Sequence, residues 1–196
     1  LLLSQATTPS DADRERLLTY STISLFNLWT EFSRSYCVSV AVRPKRMSGA
    51  RVSCGLSTRS RAEVVKTMLQ ATTRGRKVLA GNPAGPWLRK EEPAWEDFNV
   101  VIQCLTRCGA SNVPDAQRAF SLPSMTVFLG LRSWRNFFAH RNPSTLDVVL
   151  QTAPTIGLPA TERPAKLLMQ RRPGSTSSIA IEWLGELEMV AEELCK

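Results

Sequence analysis

The one histidine of this 196-residue chain, His140, closes the stretch Arg135-Asn136-Phe137-Phe138-Ala139-His140. Imidazole is the side chain whose ordinary pKa lies nearest neutrality, so histidine acid–base chemistry is available at one place only. Arg135, five residues upstream, supplies a planar cation matched to phosphate oxygens. Asn136 adds an amide that both donates and accepts. Together the three form a set able to hold and cleave a phosphodiester.

Their display depends on the element that carries them. The spacing predicts a helix from Ser124 to Arg141, with Pro123 in its first turn and Pro143 just past its end. At about 100° per residue, Val127, Leu131, Trp134 and Phe138 fall within roughly 60° of arc and form a core stripe. Asn136 and His140 lie about 40° from each other and well around from that stripe. Arg135 sits between the two faces. A histidine packed in the core would follow the stripe, and His140 does not.

A structural role also fits, because a histidine in the last helical turn interacts favourably with the final carbonyls. Asn142-Pro143 ends the helix directly afterwards. Phe137 and Phe138 widen the apolar band beside the polar residues, as expected of a helix that meets a further element. A second copy of the same helix is one such element, since two-fold pairing is the commonest soluble assembly.

Along the rest of the chain, residues 1–10 read as a frayed leader and a helix starts near Asp11 or Asp13. Leu18, Leu25, Trp29, Phe32 and Tyr36 then recur at helical spacing. Val38–Val42 reads either as a short strand or as the helix end before Pro44. Residues 43–59, with Arg43, Lys45, Arg46, Arg51 and Arg59, read as a basic loop or a small hairpin. Further helices are expected over 60–73, around Trp95 to Leu105 with a cap at Gly109, and briefly after Pro114. The glycine- and proline-rich stretch 75–93 reads as a loop carrying Arg76, Lys77, Arg89 and Lys90. Residues 143–177 read as loop-rich, with a short helix near Lys166–Gln170, before a last helix over Ser178–Leu194. The expected fold is all-α, one domain over 1–196, a bundle of four or five main helices with long basic loops.

Composition agrees with that reading. A 43% hydrophobic, 21% charged chain is globular rather than disordered. No apolar run reaches the roughly 18 residues needed to span a bilayer. Leu1-Leu2-Leu3 is too short for a signal-peptide core, and the chain opens without methionine, as a piece of something longer would. Five cysteines make no even framework and no metal spacing, so reduced cysteines acting as small hydrophobes in a cytoplasmic protein are expected. The net charge of +8 suits a polyanionic partner, nucleic acid first among them. Glu31 and Arg34, one turn apart, either pair with each other or reach toward the cleft.

Arg135-Asn136-x-x-x-His140 resembles the motif of the HEPN superfamily, all-helical domains of toxin, abortive-infection and RNA-processing systems. Trp134, Phe137, Phe138, Ala139 and Arg141-Asn142-Pro143 around it strengthen the likeness. So does its place on a late helix, followed by loops and a final tryptophan-bearing helix. The segment Trp29–Tyr36 is similar, less specifically, to the first long helix of prokaryotic members. The likeness covers about residues 124–143 and is topological elsewhere.

The resemblance implies a metal-independent endoribonuclease, a toxin or phage-defence effector, acting in the cleft of a homodimer and needing no cofactor. His140 would serve as general acid or base while the ribose 2′-hydroxyl attacks the adjacent phosphate. Arg135 would offset charge on the phosphorane and Asn136 would orient the histidine or the phosphate. Products would carry a 2′,3′-cyclic phosphate and a 5′-hydroxyl. Arg76, Lys77, Arg89, Lys90 and Arg141 would contact the RNA backbone. An antitoxin or regulatory protein would restrain such an enzyme. One subgroup carries a modifiable tyrosine shortly after the histidine; Arg141, Asn142 and Pro143 stand here instead, so that scheme does not carry over. The competing reading is a non-catalytic helical module that binds RNA or a protein through its basic loops and exposed aromatics. A DNA-binding role lacks a helix–turn–helix spacing.

Overall fold

A computed structural model describes residues 10–57, 60–122 and 125–196. Residues 1–9 of the expected leader, Arg59 and Pro123 lie outside the described residues. The fold is all-α. Among the described residues there are nine α-helices and no β-strand, only isolated bridges at Lys45–Arg51 and Arg171–Ser178. The helices are α1 (Asp11–Ser39), α2 (Arg61–Leu69), α3 (Thr73–Gly81), α4 (Phe98–Arg107), α5 (Val113–Phe120), α6 (Val127–His140), α7 (Pro143–Thr152), α8 (Pro164–Met169) and α9 (Ile179–Cys195). Five of them have ten residues or more, α1 being the longest at 29. The chain divides into two compact units, Leu1–Phe26 with Leu129–Gly185, and Asn27–Phe128 with Glu186–Lys196.

The first unit carries the polar motif. Ser10 belongs to the start of α1 rather than to a leader: its hydroxyl accepts from the Asp13 amide at 3.2 Å and donates to the Asp13 carboxylate at 2.7 Å. Leu131, Trp134 and Phe138 are buried, as the helical wheel requires. The Trp134 ring meets Trp183 edge-on, 5.5 Å between centroids, and its indole N–H donates to the Pro164 carbonyl at 3.0 Å. Gly130 permits this packing, because a Cβ there would lie 2.4 Å from the Trp183 ring.

One expectation about this unit is corrected. Residues 143–177 are not mainly loop, since α7 begins at Pro143 and a 3-10 turn follows over Ala153–Ile156, whereas α8 (Pro164–Met169) is the short helix expected near Lys166–Gln170. Pro143 does end α6, yet it also opens α7, because proline suits a first helical turn whose N–H would be unpaired anyway. Asn142 caps that turn, accepting from the Thr145 amide at 2.9 Å. The reversal between α6 and α7 rests on Arg141, which takes a positive φ of 45°.

The second unit is cored by Trp29, Val64, Met68, Leu69, Trp95 and Leu105. Its helix α4 ends as expected at Gly109, where Gly109 N donates to Thr106 O at 2.9 Å and Ala110 N to Leu105 O at 3.1 Å. Glu186 holds the first turn of α6, accepting from the amides of Thr126 and Val127 at 2.8 and 2.7 Å. The segment before Pro44 is helical: α1 runs to Ser39 and passes into a 3-10 turn over Val40–Val42. Residues 45–51 form the small hairpin, with Arg46 N donating to Ala50 O at 2.8 Å.

The long basic loop over 75–93 is corrected in part, since residues 82–88 are irregular as expected but both flanks are helical. Thr72 caps α3 through a 2.9 Å bond from the Gly75 amide, so Arg76 and Lys77 stand on a helix. Gly75 marks close approach rather than irregularity, since a Cβ there would fall 2.1 Å from the Leu69 carbonyl oxygen. Arg89 and Lys90 occupy a 3-10 turn. Glu31 and Arg34 do not pair with each other: Arg34 binds Glu92 with bonds of 2.5 and 2.7 Å, and Glu31 binds Arg89 at 2.7 Å. All five cysteines are free; four are buried, whereas Cys195 is exposed and does not act as a core hydrophobe.

Candidate active site

Helix α6 presents the three motif residues in two different settings. Arg135 is half-buried. One terminal nitrogen donates to the side-chain carbonyl of Asn136 at 3.0 Å, and the guanidinium lies 5.2 Å over the Phe26 ring. Its Nε is buried and has no hydrogen-bond partner. The arginine is thus held by a neighbour on its own helix and an aromatic face on α1.

His140 is the last residue of α6 and is exposed. Five residues of helix separate it from Arg135 by about 7.5 Å along the axis and about 140° around it. The Arg135–Asn136 contact therefore forms within one helix, while the imidazole stands apart in solvent. The same position also matches the structural role of a helix-end histidine.

Arg141 follows directly, and its amide donates to Phe137 O at 2.7 Å. Its side chain turns to α1, donating to Thr19 Oγ1 at 3.3 Å and standing 3.8 Å from the Glu15 carboxylate. Beside it opens a cleft of about 450 Å³, walled by Phe137, Leu146, Leu150 and Pro164 with Glu15 and Arg163 at its polar parts. The other expected contact residues belong to the second unit. There Lys77 is exposed, and Arg76 donates to Gln70 O at 3.2 Å. The Lys90 carbonyl accepts from Arg74 at 2.5 Å. Arg89 is engaged by both Glu31 and Glu92.

Glu92 anchors that last group. Burial pushes its carboxyl up, but hydrogen bonds from Arg34 and Trp95 and the charges of Arg34 and Arg89 outweigh it and hold the pKa below the usual carboxylate value. Arg89 is therefore a structural cation at least as much as a surface charge.

Phe26, Glu15 and Thr19 are not among the residues that spacing singles out. They reach the motif across more than a hundred residues of chain, and no local pattern marks them. Among the described residues, no group of three or more His, Cys, Asp or Glu is placed to hold a metal ion. No helix among them is long and apolar enough to cross a membrane.

No protein-family model matches the chain, and no curated protein or solved structure matches it either.

Proposed function

We propose that the chain is a metal-independent endoribonuclease of HEPN type, a toxin or defence effector working as a homodimer. Its main support is the pairing of Arg135 with Asn136 at 3.0 Å on the helix that ends in the exposed His140. The amide fixes one edge of the guanidinium and leaves other N–H groups for a phosphorane, where a preorganised cation counts most. His140 takes the 2′-hydroxyl proton or supplies one to the departing 5′-oxygen. The new P–O2′ bond replaces P–O5′ and leaves a cyclic phosphate. Phe137 in the adjoining cleft offers an aromatic face to an unstacked base. In a pair of such helices, two motifs would share one groove.

The test is cleavage of a mixed RNA by the purified chain in EDTA, followed by end-group analysis. Fragments with 2′,3′-cyclic phosphate and 5′-hydroxyl ends are the expected products. Intact RNA, or fragments with 3′-hydroxyl ends, would reject the proposal.

A second reading has one specific observation in its favour. Arg135 is committed to Asn136 and Phe26, with Nε buried, as a structural arginine would be. The chain would then bind RNA without turnover, with affinity falling steeply in salt as counterions are released. A salt titration beside a product gel separates the two.

A further inference from the structure

The second unit holds a cavity of about 310 Å³ that the ribonuclease reading does not use. Its apolar walls are Val40, Pro44, Val52 and Leu194. Polar side chains also line it: Tyr36 and Ser39 from α1, Lys45 and Arg46 from the hairpin and Asn112 from the start of α5. The hairpin is tied down against α9, since Met47 N donates to Cys195 O at 2.9 Å. The wall is therefore built rather than incidental.

Two of these side chains each carry one buried polar atom without a partner. Asn112 is 2% exposed; its Nδ2 donates to Tyr36 Oη at 2.6 Å, and its Oδ1 has no donor. Arg46 gives one terminal nitrogen to Asp115 at 2.7 Å, while its buried Nε has no acceptor. Native interiors pair nearly all such groups. Here Asn112 and Arg46, each carrying one buried polar atom that lacks a complement, both line the cavity. Burial also raises the Tyr36 pKa, so its hydroxyl stays protonated and keeps a hydrogen to donate.

We propose that this cavity binds a small carboxylate whose ring-sized apolar body carries a hydrogen-bond donor at its far end. The carboxylate meets the Arg46 guanidinium and the exposed Lys45 at the rim, the donor meets the Asn112 side chain, and the body lies against the aliphatic walls. A phosphate is a poorer match. Its three strong acceptor oxygens need more donors than a guanidinium already shared with Asp115 supplies.

The test uses the full chain and 4-hydroxybenzoate as probe, with benzoate (no distal donor), phenol (no acid) and inorganic phosphate as comparison arms. In amide-resolved NMR, 4-hydroxybenzoate is expected to give saturable shifts at Tyr36, Met47 and the Asn112 side chain, with a Kd of about 1 mM or tighter. Benzoate and phenol each bind about tenfold more weakly. Cys195 lines the cavity and is the exposed cysteine, so its alkylation by iodoacetamide slows as the probe saturates. Lys45→Glu weakens both carboxylates and leaves phenol unchanged. Asn112→Ala abolishes the preference for 4-hydroxybenzoate over benzoate; should that variant not fold, Lys45→Glu and the probe series still decide. Absence of saturable shifts at these residues, equal binding of all three organic probes, or phosphate binding more tightly than 4-hydroxybenzoate would overturn the assignment. None of these outcomes bears on RNA cleavage, so the two proposals fail separately.

Discussion

Arg135 Nη1 donates to Asn136 Oδ1 at 3.0 Å, so the two polar residues in the middle of α6 set each other's orientation. If that contact aims the guanidinium at a phosphate, Asn136 acts as a positioning residue. Asn136→Ala is expected to lower RNA cleavage by about 10- to 100-fold, the usual penalty for a displaced group. Stability should shift by only about 1 kcal/mol, because one hydrogen bond is lost. Asn136→Asp keeps Arg135 in place but neutralises its charge, so cleavage falls while melting does not. Matched rates and melting curves check both.

Glu92 lies 8% exposed between Arg34, Arg89 and Trp95. Removing its charge leaves the Arg34 guanidinium buried and unpaired, which costs about 3 kcal/mol. Glu92→Gln should therefore unfold at markedly lower urea concentration than wild type. The pH dependence follows from the depressed carboxyl. A folded pKa below the unfolded one means stability fully present above the ordinary carboxyl value of about 4.3. That stability is lost as pH falls through the lower folded value. Between pH 5 and strong acid, wild type should lose more stability than Glu92→Gln, and parallel curves would contradict this origin of the effect.

At Gly130, alanine would favour the helix by about 1 kcal/mol through propensity alone. The Trp183 ring, 2.4 Å from the new Cβ, decides the sign. Displacing that ring also disturbs its edge contact with Trp134. Gly130→Ala is expected to be net destabilising by about 1–3 kcal/mol, with altered tryptophan fluorescence. A variant as stable as wild type would show that α6 and α9 can part at small cost.

Lys77 and Arg89 should respond differently to charge reversal. Lys77 is exposed on α3, and Lys77→Glu is expected to weaken RNA binding while reducing the salt slope by about 1. Arg89 stands 2.7 Å from Glu31 and 3.0 Å from Glu92, so Arg89→Glu acts mainly by destabilising the fold. Binding titrations at several salt concentrations, run beside thermal melts, distinguish these effects.

The all-α fold and the face of α6 were readable because period-3.6 apolar spacing is a local property. Leu131, Trp134 and Phe138 are buried where the wheel puts them, and His140 is exposed. Helices α3 and α7 were hidden by their punctuation. Gly75 suggested a loop but serves close packing on Leu69, and Pro143 suggested a stop but opens the next helix. The partners of Arg135 and Arg141 escape detection for another reason. Phe26, Thr19 and Glu15 meet them only after folding, and pairwise contacts across such separations leave no periodic trace. The same holds for Asn112 and Tyr36, whose unpaired neighbour atom becomes visible only in three dimensions.

The most direct measurement compares RNA cleavage by wild type and His140→Ala in EDTA, with circular dichroism showing both folded. His140 is exposed and terminal on α6, so alanine there should leave the fold intact. A catalytic imidazole predicts a loss of about 10²- to 10⁴-fold in cleavage. Equal cleavage by the two proteins would contradict the assignment of His140 as the acid–base group.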